Sequence, residues 1–286
     1  MIFDVILPLV AGVALLYVGA ESLIRGSVAI AFRLGISALV IGLTVVAYGT
    51  SSPELFVSLQ SALSGNSTIS LGNIIGSNIA NIGLILGIAA MIFPININVE
   101  VIKREIPIMI GVTVIVIAML LDQGISRIEG FILFGLLVLY TIFNYSQAKK
   151  EKTNIGEEEY KQEFKKPEKP LWMNILFVIA GLVILVIGSN LFVSGAVSLA
   201  KMFQISDLII GLTIIAVGTS LPEFATSVLA ALKKESDIAV GNVVGSNIFN
   251  VLGILGIVAI IHPIENAEIK IIDLAVLLLF AVVMIP

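Results

Sequence analysis

Residues 49–54 read GTSSPE, and residues 218–223 read GTSLPE. Each motif places a glutamate, Glu54 or Glu223, in the middle of an apolar stretch. A charged side chain at that depth in a membrane costs roughly 2.5–3.5 kcal/mol on insertion scales. No basic residue lies in either stretch to compensate the charge. Both glutamates are therefore predicted to be protonated or paired with a bound cation, and their polar neighbours favour the cation.

The two motifs occupy equivalent positions of one long internal repeat. With an offset of 169 residues, identical residues recur without a gap. They include Gly12 and Gly181, Gly19 and Gly188, Gly42 and Gly211, Thr44 and Thr213, Gly76 and Gly245, Asn81 and Asn250, and Pro94 and Pro263. Chance could supply a few such identities but not this constant register. The chain is interpreted as the product of a duplication.

The composition predicts a membrane protein. Of the 286 residues, 58% are hydrophobic and 13% are charged, whereas a soluble protein averages about 25% charged residues. A helix needs about 20 apolar residues to cross the hydrocarbon core. Nine spans are predicted, at 5–32, 36–63, 71–92, 105–121, 128–145, 172–200, 206–232, 240–261 and 270–286. The expected fold class is all-α membrane, with the lipid bilayer as the main partner.

A hydrophilic linker, residues 146–171, holds seven lysines and six glutamates and is predicted to be solvated. It separates a first transmembrane repeat, 1–145, from a second, 172–286. Basic residues favour the cytoplasmic ends of spans. With the N-terminus outside, 13 of the 16 basic residues lie on the cytoplasmic side. This orientation is therefore predicted, in the cell (inner) membrane, with the linker cytoplasmic.

The odd number of spans in the first repeat makes the second repeat enter the membrane from the opposite face. The repeats are then inverted about a pseudo-two-fold axis, as in many secondary transporters. The span at 128–145 predicts a tenth span near 297–314, beyond Pro286. Nine spans are thus present where the repeat predicts ten. Either the chain is truncated or the last helix is dispensable, and truncation is favoured because the sequence stops within an apolar run.

Oxygen-bearing side chains accompany each glutamate. Thr50 lies four residues before Glu54, on the same face of a helix, and Ser51 follows it. Pro53 predicts a kink that frees a backbone carbonyl near Gly49. The second repeat supplies the same set, Thr219, Ser220, Pro222 and Glu223.

The third and eighth spans add hydroxyl and amide stripes with a four-residue spacing. These are Asn73, Ser77 and Asn81, and Asn242, Ser246 and Asn250. Each stripe is expected to face the glutamate helix of its own repeat. The glycines at 72, 76, 241 and 245 are expected to permit close packing. For Asn73, Asn78, Asn242 and Asn247, a structural role and a binding role are both left open.

All the candidate ligands are oxygens, which suit hard cations such as Ca²⁺ and Na⁺. Softer metals favour cysteine or histidine, and the chain has no cysteine and one histidine, His262, at a span end. Two carboxylates match the charge of one Ca²⁺. No cofactor is expected, and no enzyme activity, since the histidines or paired aspartates of intramembrane proteases are lacking. Nucleic acid is not an expected partner, because no basic face exists outside the linker.

These motifs resemble those of the cation/calcium exchanger superfamily, and specifically the prokaryotic relatives in its sodium/calcium exchanger family. That family carries G-T-S-x-P-E followed by G-N-x-x-G-S-N-x-x-N in each repeat, and here the second motif reads GNIIGSNIAN at 72–81 and GNVVGSNIFN at 241–250. The resemblance implies two inverted five-helix repeats and exchange of Ca²⁺ for Na⁺ by alternating access, with the first and sixth helices sliding across a rigid core. By position, it implies as ligands the carbonyls of Ala47 and Ala216 with Thr50, Ser51, Glu54, Ser77, Asn81, Thr219, Ser220, Glu223, Ser246 and Asn250.

Alternatives to this leading hypothesis stay open. Asn250 stands where potassium-dependent relatives have aspartate, which disfavours potassium co-transport. An H⁺/Ca²⁺ antiporter, with Glu54 and Glu223 exchanging protons, is the first alternative, although that branch typically has GNxxE. A cation channel is a less favoured one. Glu21 and Arg25 are expected to form a structural or gating pair, and the oligomeric state is left open, with a monomer as the expectation.

Overall fold

The computed structural model of the protein describes residues 3–95, 97, 99–154, 170–204, 216–265 and 269–285. Within these ranges the regular structure is helical, with a single β-bridge between Ile125 and Ile264. The helices are α1 (Phe3–Leu34), α2 (Ala38–Thr50), α3 (Ser52–Leu63), α4 (Ser67–Ile92), α5 (Val101–Asp122), α6 (Arg127–Asn154), α7 (Leu171–Met202), α8 (Ala216–Thr219), α9 (Leu221–Leu232), α10 (Ser236–Ile261) and α11 (Ile271–Val283).

The predicted all-α membrane class is confirmed. Among the described residues, six helices are long and apolar enough to cross a membrane, and α2 with α3 makes a seventh span that is bent by 43°. The predicted span 206–232 is described from residue 216 onward, as α8 and α9, and its first part lies outside the described residues. Helix α6 continues into the predicted linker as far as Asn154. Residues 155–169 of that linker are also outside the described ranges.

The two longest helices, α1 and α7, pack side by side through a glycine seam. The seam consists of glycines spaced seven residues apart, Gly12, Gly19 and Gly26 on α1 and Gly181, Gly188 and Gly195 on α7. A Cβ added to Gly181 would lie 2.6 Å from the backbone nitrogen of Leu23 and 2.8 Å from the carbonyl oxygen of Gly19. The two backbones therefore touch directly, which is how small residues drive helix association in lipid.

Helix α10 lies at the centre of the bundle. In its most apolar window 83% of the residues are buried, against 50% for α4, its counterpart in the first repeat. Helix α2 packs on α10 through Gly241 and Gly245, and a Cβ on Gly245 would lie 2.5 Å from the Leu43 carbonyl oxygen. Close packing is thus confirmed for these two glycines. For the glycines at 72 and 76, no atom of a described residue lies within 4 Å of an added Cβ.

Both glutamate motifs break their helices at a serine. Helix α2 ends at Thr50 and α3 begins at Ser52, so Ser51 lies outside both. Ser220 separates α8 and α9 in the same way. The expected kink is present, but Pro53 lies in the first turn of the next helix, where its missing N–H removes no helical hydrogen bond. The break therefore starts a new helix and does not merely bend a continuous one.

Two further irregularities lie next to these breaks. A π turn covers Asn81–Leu86 in α4, and another covers Asn250–Ile254 in α10. Each begins at the last amide of a predicted polar stripe. Single π turns inside helices frequently mark functional sites. Two breaks and two π turns thus meet in the middle of the bundle, in equivalent positions of the two repeats.

Candidate cation-binding site

The two helix breaks face each other and exchange hydrogen bonds. The Ser51 hydroxyl donates to Oε1 of Glu223 at 2.8 Å, and the Ser220 hydroxyl donates to Oε1 of Glu54 at 2.9 Å. Both glutamates are only 1% exposed. Each repeat therefore holds the carboxylate of the other, and the pseudo-two-fold relation extends to individual atoms.

Hydroxyl and carbonyl oxygens surround this crossed pair. Ser51 Oγ lies 3.0 Å from Oγ of Ser246, and Ser220 Oγ lies 3.4 Å from Oγ of Ser77. The Ala47 carbonyl accepts a hydrogen bond from Ser246 at 3.4 Å. Oxygens from both helix breaks and from α2, α4 and α10 thus converge on the two carboxylates.

The polar stripes bridge the two repeats. Their first members, Asn73 and Asn242, donate to the backbone carbonyls of Glu54 and Glu223 in their own repeat, each at 3.3 Å. The serines further along contact the other repeat, as the Ser220–Ser77 contact shows. The expectation that each stripe faces the glutamate helix of its own repeat is therefore correct only for the first residue. It fails beyond that point because α4 and α10 lie between the two breaks.

Every predicted ligand with a polar side chain is buried, with 8% exposure or less. These are Thr50, Ser51, Glu54, Ser77, Asn81, Thr219, Ser220, Glu223, Ser246 and Asn250. Ala47 is also buried, and Ala216 begins α8. The sequence motifs thus identify residues that the fold brings into one enclosed region. No group of three or more His, Cys, Asp or Glu side chains suited to a metal occurs in the described part of the chain.

Four buried oxygens of this region have no hydrogen-bond partner among the described residues. They are Oε2 of Glu54, Oε2 of Glu223, Oδ1 of Asn81 and Oδ1 of Asn250. An unsatisfied buried acceptor costs about 1–3 kcal/mol, and more when it is charged. The four form two pairs related by the repeat. Carboxylate and amide oxygens are the ligands that hard cations prefer, so the chemistry of this set fits a cation.

Two cavities border the region: one of about 280 Å³, between α4 and α9, is lined by Ser77 and Ser220, and one of about 340 Å³ lies beside the α1–α7 pair. The second cavity lies between α3 and α7 and is lined by Ser52, Pro53 and Phe56, and by Ser189, Asn190 and Thr219. On the other side, α1 packs against α9, where Leu23, Ile24 and Leu229 belong to one buried cluster. Thr219 borders Ser220 in the sequence, so the second cavity also leads toward the crossed carboxylates.

An ion-pair cluster joins α1 to the end of α9. The expected pair of Glu21 and Arg25 is present, and Lys233 also contacts the Glu21 carboxylate. The equivalent positions in the other repeat hold Asn190, Ser194 and Ser64, which carry no charge. The cluster is therefore a one-sided contact and not part of the cation-binding region.

Sequence reasoning missed two features. Glu105 is fully buried and accepts hydrogen bonds from Tyr140 at 2.8 Å and from Arg104 at 2.6 Å. It was missed because it starts a predicted span, although the adjacent arginine was a usable signal. The Gly218 carbonyl, equivalent to the one expected to be freed at Gly49, accepts the Ser189 hydroxyl at 2.6 Å. In the second repeat, that carbonyl is consequently already hydrogen bonded.

Comparison with known proteins supports the resemblance to sodium/calcium exchangers. The family described as Sodium/calcium exchanger protein matches residues 5–146 and 173–285. Inner membrane protein YrbG of Escherichia coli strain K12 is 38% identical over 264 residues, covering 90% of this chain and 80% of YrbG. Sodium/calcium exchanger MaX1 of Methanosarcina acetivorans is 31% identical over 298 residues, covering 93% of this chain and 85% of MaX1.

The fold matches a solved exchanger structure. The sodium-calcium exchanger NCX_Mj, soaked with zero Na⁺ and Ca²⁺, superposes with a TM-score of 0.85 at 32% identity, covering 100% of this chain and 90% of that one. NCX_Mj is a membrane exchanger with inverted repeats, and this chain shares that architecture. MaX1 and NCX_Mj are named as sodium/calcium exchangers, and YrbG is named as an inner membrane protein. Fold, site chemistry and family match agree that this multi-pass membrane protein belongs to the sodium/calcium exchanger family and is a cation/Ca²⁺ exchanger.

Proposed function

We propose that this protein exchanges Ca²⁺ for Na⁺ across the membrane by alternating access. The observation that carries the proposal is the set of four unpaired oxygens on Glu54, Glu223, Asn81 and Asn250. The two carboxylates neutralise one Ca²⁺, and several Na⁺ ions at the same oxygens would replace it. The relatives named as sodium/calcium exchangers favour Na⁺ over H⁺ as the driving ion.

The remaining predicted ligands complete the coordination in this proposal. They are the carbonyls of Ala47 and Ala216 and the hydroxyls of Thr50, Ser51, Ser77, Thr219, Ser220 and Ser246. A hydroxyl that donates its proton to a carboxylate keeps lone pairs that face other neighbours. Ser51 and Ser220 are therefore available to a cation while they hold the glutamates. One Ca²⁺ takes six to eight oxygen ligands, so it would use only part of this all-oxygen set, and several Na⁺ ions could share the whole of it.

The dependence of the conformational change on a bound cation follows from the burial of the carboxylates. Two charges in a low-dielectric region are costly unless they are paired, and Glu54 and Glu223 are each 1% exposed. Without a cation, the uncompensated charge of the two carboxylates raises the free energy of the intermediate in which the site is closed to both sides of the membrane. With Ca²⁺ or Na⁺ bound, the charge is compensated and the rearrangement proceeds. This requirement makes the protein an exchanger and not a channel.

The access route is proposed from the asymmetry between the two sides. The cavity between α3 and α7 lies at the end opposite the linker, which the distribution of basic residues assigns to the outside. On the linker side of the α1–α7 pair, α1 packs against α9 and Glu21 contacts Lys233. In this proposal, the cation site is accessible from outside in the present conformation. The site opens to the cytoplasm when α1 separates from α9 and α7 packs against α3.

Ion-selective flux tests the exchange reaction. Purified protein in liposomes loaded with Na⁺ is expected to take up Ca²⁺ when diluted into Na⁺-free medium, whereas choline-loaded liposomes take up none. An H⁺/Ca²⁺ antiporter would instead take up Ca²⁺ when the lumen is acidic and Na⁺ is absent. A channel would pass Ca²⁺ without either counter-ion. Equal uptake with Na⁺ and choline inside would overturn Na⁺ coupling.

The crossed hydrogen bonds give a second prediction. Ser51→Ala and Ser220→Ala are each expected to weaken Ca²⁺ binding about tenfold, because a hydrogen bond to a charged acceptor contributes about 1.5–3 kcal/mol and the site loses one oxygen. Calorimetric titration of the purified protein with Ca²⁺ measures the change. Ser198→Ala is the matched control, since that hydroxyl bonds only to the backbone of Ser194 in α7. Unchanged binding in both site variants would contradict the assignment.

A further inference from the structure

Four asparagines form a hydrogen-bond network between α4 and α10, and Asn247 Nδ2 also lies 3.8 Å from Sδ of Met109. Asn78 Nδ2 donates to the backbone carbonyl of Asn247 at 3.1 Å, and Asn247 Nδ2 donates to the backbone carbonyl of Asn78 at 3.3 Å. Asn81 Nδ2 donates to Oδ1 of Asn247 at 3.0 Å, and Asn250 Nδ2 donates to Oδ1 of Asn78 at 3.0 Å. All four side chains are buried. The network obeys the same pseudo-two-fold relation as the crossed serine–glutamate pairs.

The two pairs of asparagines differ in what their oxygens do. Oδ1 of Asn78 and Oδ1 of Asn247 are occupied as acceptors inside the network. Oδ1 of Asn81 and Oδ1 of Asn250 have no partner among the described residues. The amide oxygens of Asn78 and Asn247 thus already accept one hydrogen bond each, whereas those of Asn81 and Asn250 are fully available to a cation.

An amide has an oxygen end that attracts a cation and an NH₂ end that repels it. The two ends have nearly the same shape, so packing alone does not select between them. In Asn250 the NH₂ end is fixed by the Asn78 oxygen. Asn78 is itself fixed, because its NH₂ group is bound to the Asn247 carbonyl. The orientation of the Asn250 oxygen is thus dictated from the other repeat, and Asn247 dictates that of Asn81 in the same manner.

We propose that Asn78 and Asn247 are positioning residues, which turn the amide oxygens of Asn250 and Asn81 toward the transported cation. The inference rests on the proposed function, in which Asn81 and Asn250 are ligands. From the sequence alone, both a structural role and a binding role were open for Asn78 and Asn247, and the proposal gives them a specific one. Each repeat sets the ligand geometry of the other, so both must be correctly apposed for either amide to bind.

A double-mutant cycle tests this role. Asn78→Ala frees the Asn250 amide to rotate and is expected to raise the Ca²⁺ concentration for half-maximal binding about 3- to 10-fold, the range for one lost hydrogen bond. In an Asn250→Asp background both ends of the side chain are oxygens, so orientation no longer matters. There, Asn78→Ala is expected to cause no further loss. An equal fold-loss in both backgrounds would overturn the positioning role, because it would indicate a general packing defect.

Further variants distinguish the positioning role of Asn78 from the proposal that Asn250 is a cation ligand. Asn250→Ala removes the ligand itself, and unchanged Ca²⁺ binding in that variant would refute the ligand assignment rather than the positioning role alone. Weakened binding in Asn250→Ala together with an additive cycle would refute only the positioning role. Calorimetric Ca²⁺ titration reads all arms without depending on which counter-ion drives transport.

A conservative variant guards against misfolding. Asn78→Asp keeps the acceptor for Asn250 but loses the donor to the Asn247 carbonyl, and it is expected to bind Ca²⁺ at least as tightly as the wild type. Asn144→Ala removes another buried asparagine, on α6 and outside the network, and is the control for truncation as such. A thermal unfolding curve accompanies each titration. Weak binding by a well-folded Asn78→Asp variant would count against the proposal.

Discussion

Glu54→Gln and Glu223→Gln are each expected to abolish Ca²⁺ exchange, lowering the initial rate about 100-fold or more. Glutamine has the size of glutamate and keeps one oxygen, but it removes a charge from a site where both carboxylates are 1% exposed. Removing one partner of a buried, hydrogen-bonded charge pair costs about 2–5 kcal/mol or more. One remaining carboxylate leaves a bound Ca²⁺ half-neutralised in a low-dielectric environment. Uptake of radioactive Ca²⁺ into Na⁺-loaded liposomes measures the loss.

Glu129→Gln is the matched control for these variants. Glu129 lies at the start of α6 and caps that helix by accepting hydrogen bonds from the Ser126 backbone and hydroxyl. It is expected to exchange Ca²⁺ at the wild-type rate. Both site variants are expected to insert into the membrane and elute as folded protein, since burying a neutral amide is less costly than burying a charge. Normal exchange in both would remove Glu54 and Glu223 from the mechanism.

Gly181→Leu is expected to destabilise the bundle strongly. An added Cβ would lie 2.6 Å from the Leu23 nitrogen and 2.8 Å from the Gly19 oxygen, both backbone atoms that cannot rotate away. Overpacking costs about 1–3 kcal/mol even where side chains adjust, and here two whole helices must separate. The melting temperature in detergent is expected to fall by roughly 5–10 °C or more, with a matching loss of purified yield.

Gly135→Leu provides the comparison, because a Cβ at that exposed position of α6 would have no atom of a described residue within 4 Å, apart from its chain neighbours and the adjacent backbone of its own helix. It makes the same chemical change in a helix of similar apolar character. Its melting temperature is expected to stay close to that of the wild type. If both variants melted alike, glycine content and not the contact between α1 and α7 would explain the result.

The sequence predicted the main features of the fold because its signals are strong and local. Long apolar runs identify the spans, and the offset between Glu54 and Glu223 reveals the repeat. The helix breaks were predicted at the correct motifs because proline restricts the backbone there and has no N–H to donate. The predicted ligand residues are buried together for a related reason, since a polar side chain at membrane depth needs hydrogen-bonding or ion-binding partners.

The contacts between repeats could not be predicted. The repeat shows that Ser51 is equivalent to Ser220, but it does not tell whether Ser51 approaches Glu54 or Glu223. That choice depends on how α4 and α10 interleave, which is a property of three-dimensional packing. The same limit applies to Asn78 and Asn247, whose partners lie in the other repeat. Periodicity likewise could not show that Gly218 would be capped by a hydroxyl from α7.

Backbone contact along the glycine seam makes α1 and α7 one mechanical body. One edge of this body, α1, packs against α9, while the other edge, α7, borders the cavity beside α3. A rigid element that moves toward one neighbour withdraws from the other. Under the proposed alternating access, closing one entrance and opening the other would then be one movement. A simultaneous leak through both entrances would require α1 and α7 to separate, so the proposed mechanism gives the glycine seam a role in preventing leak as well as in folding.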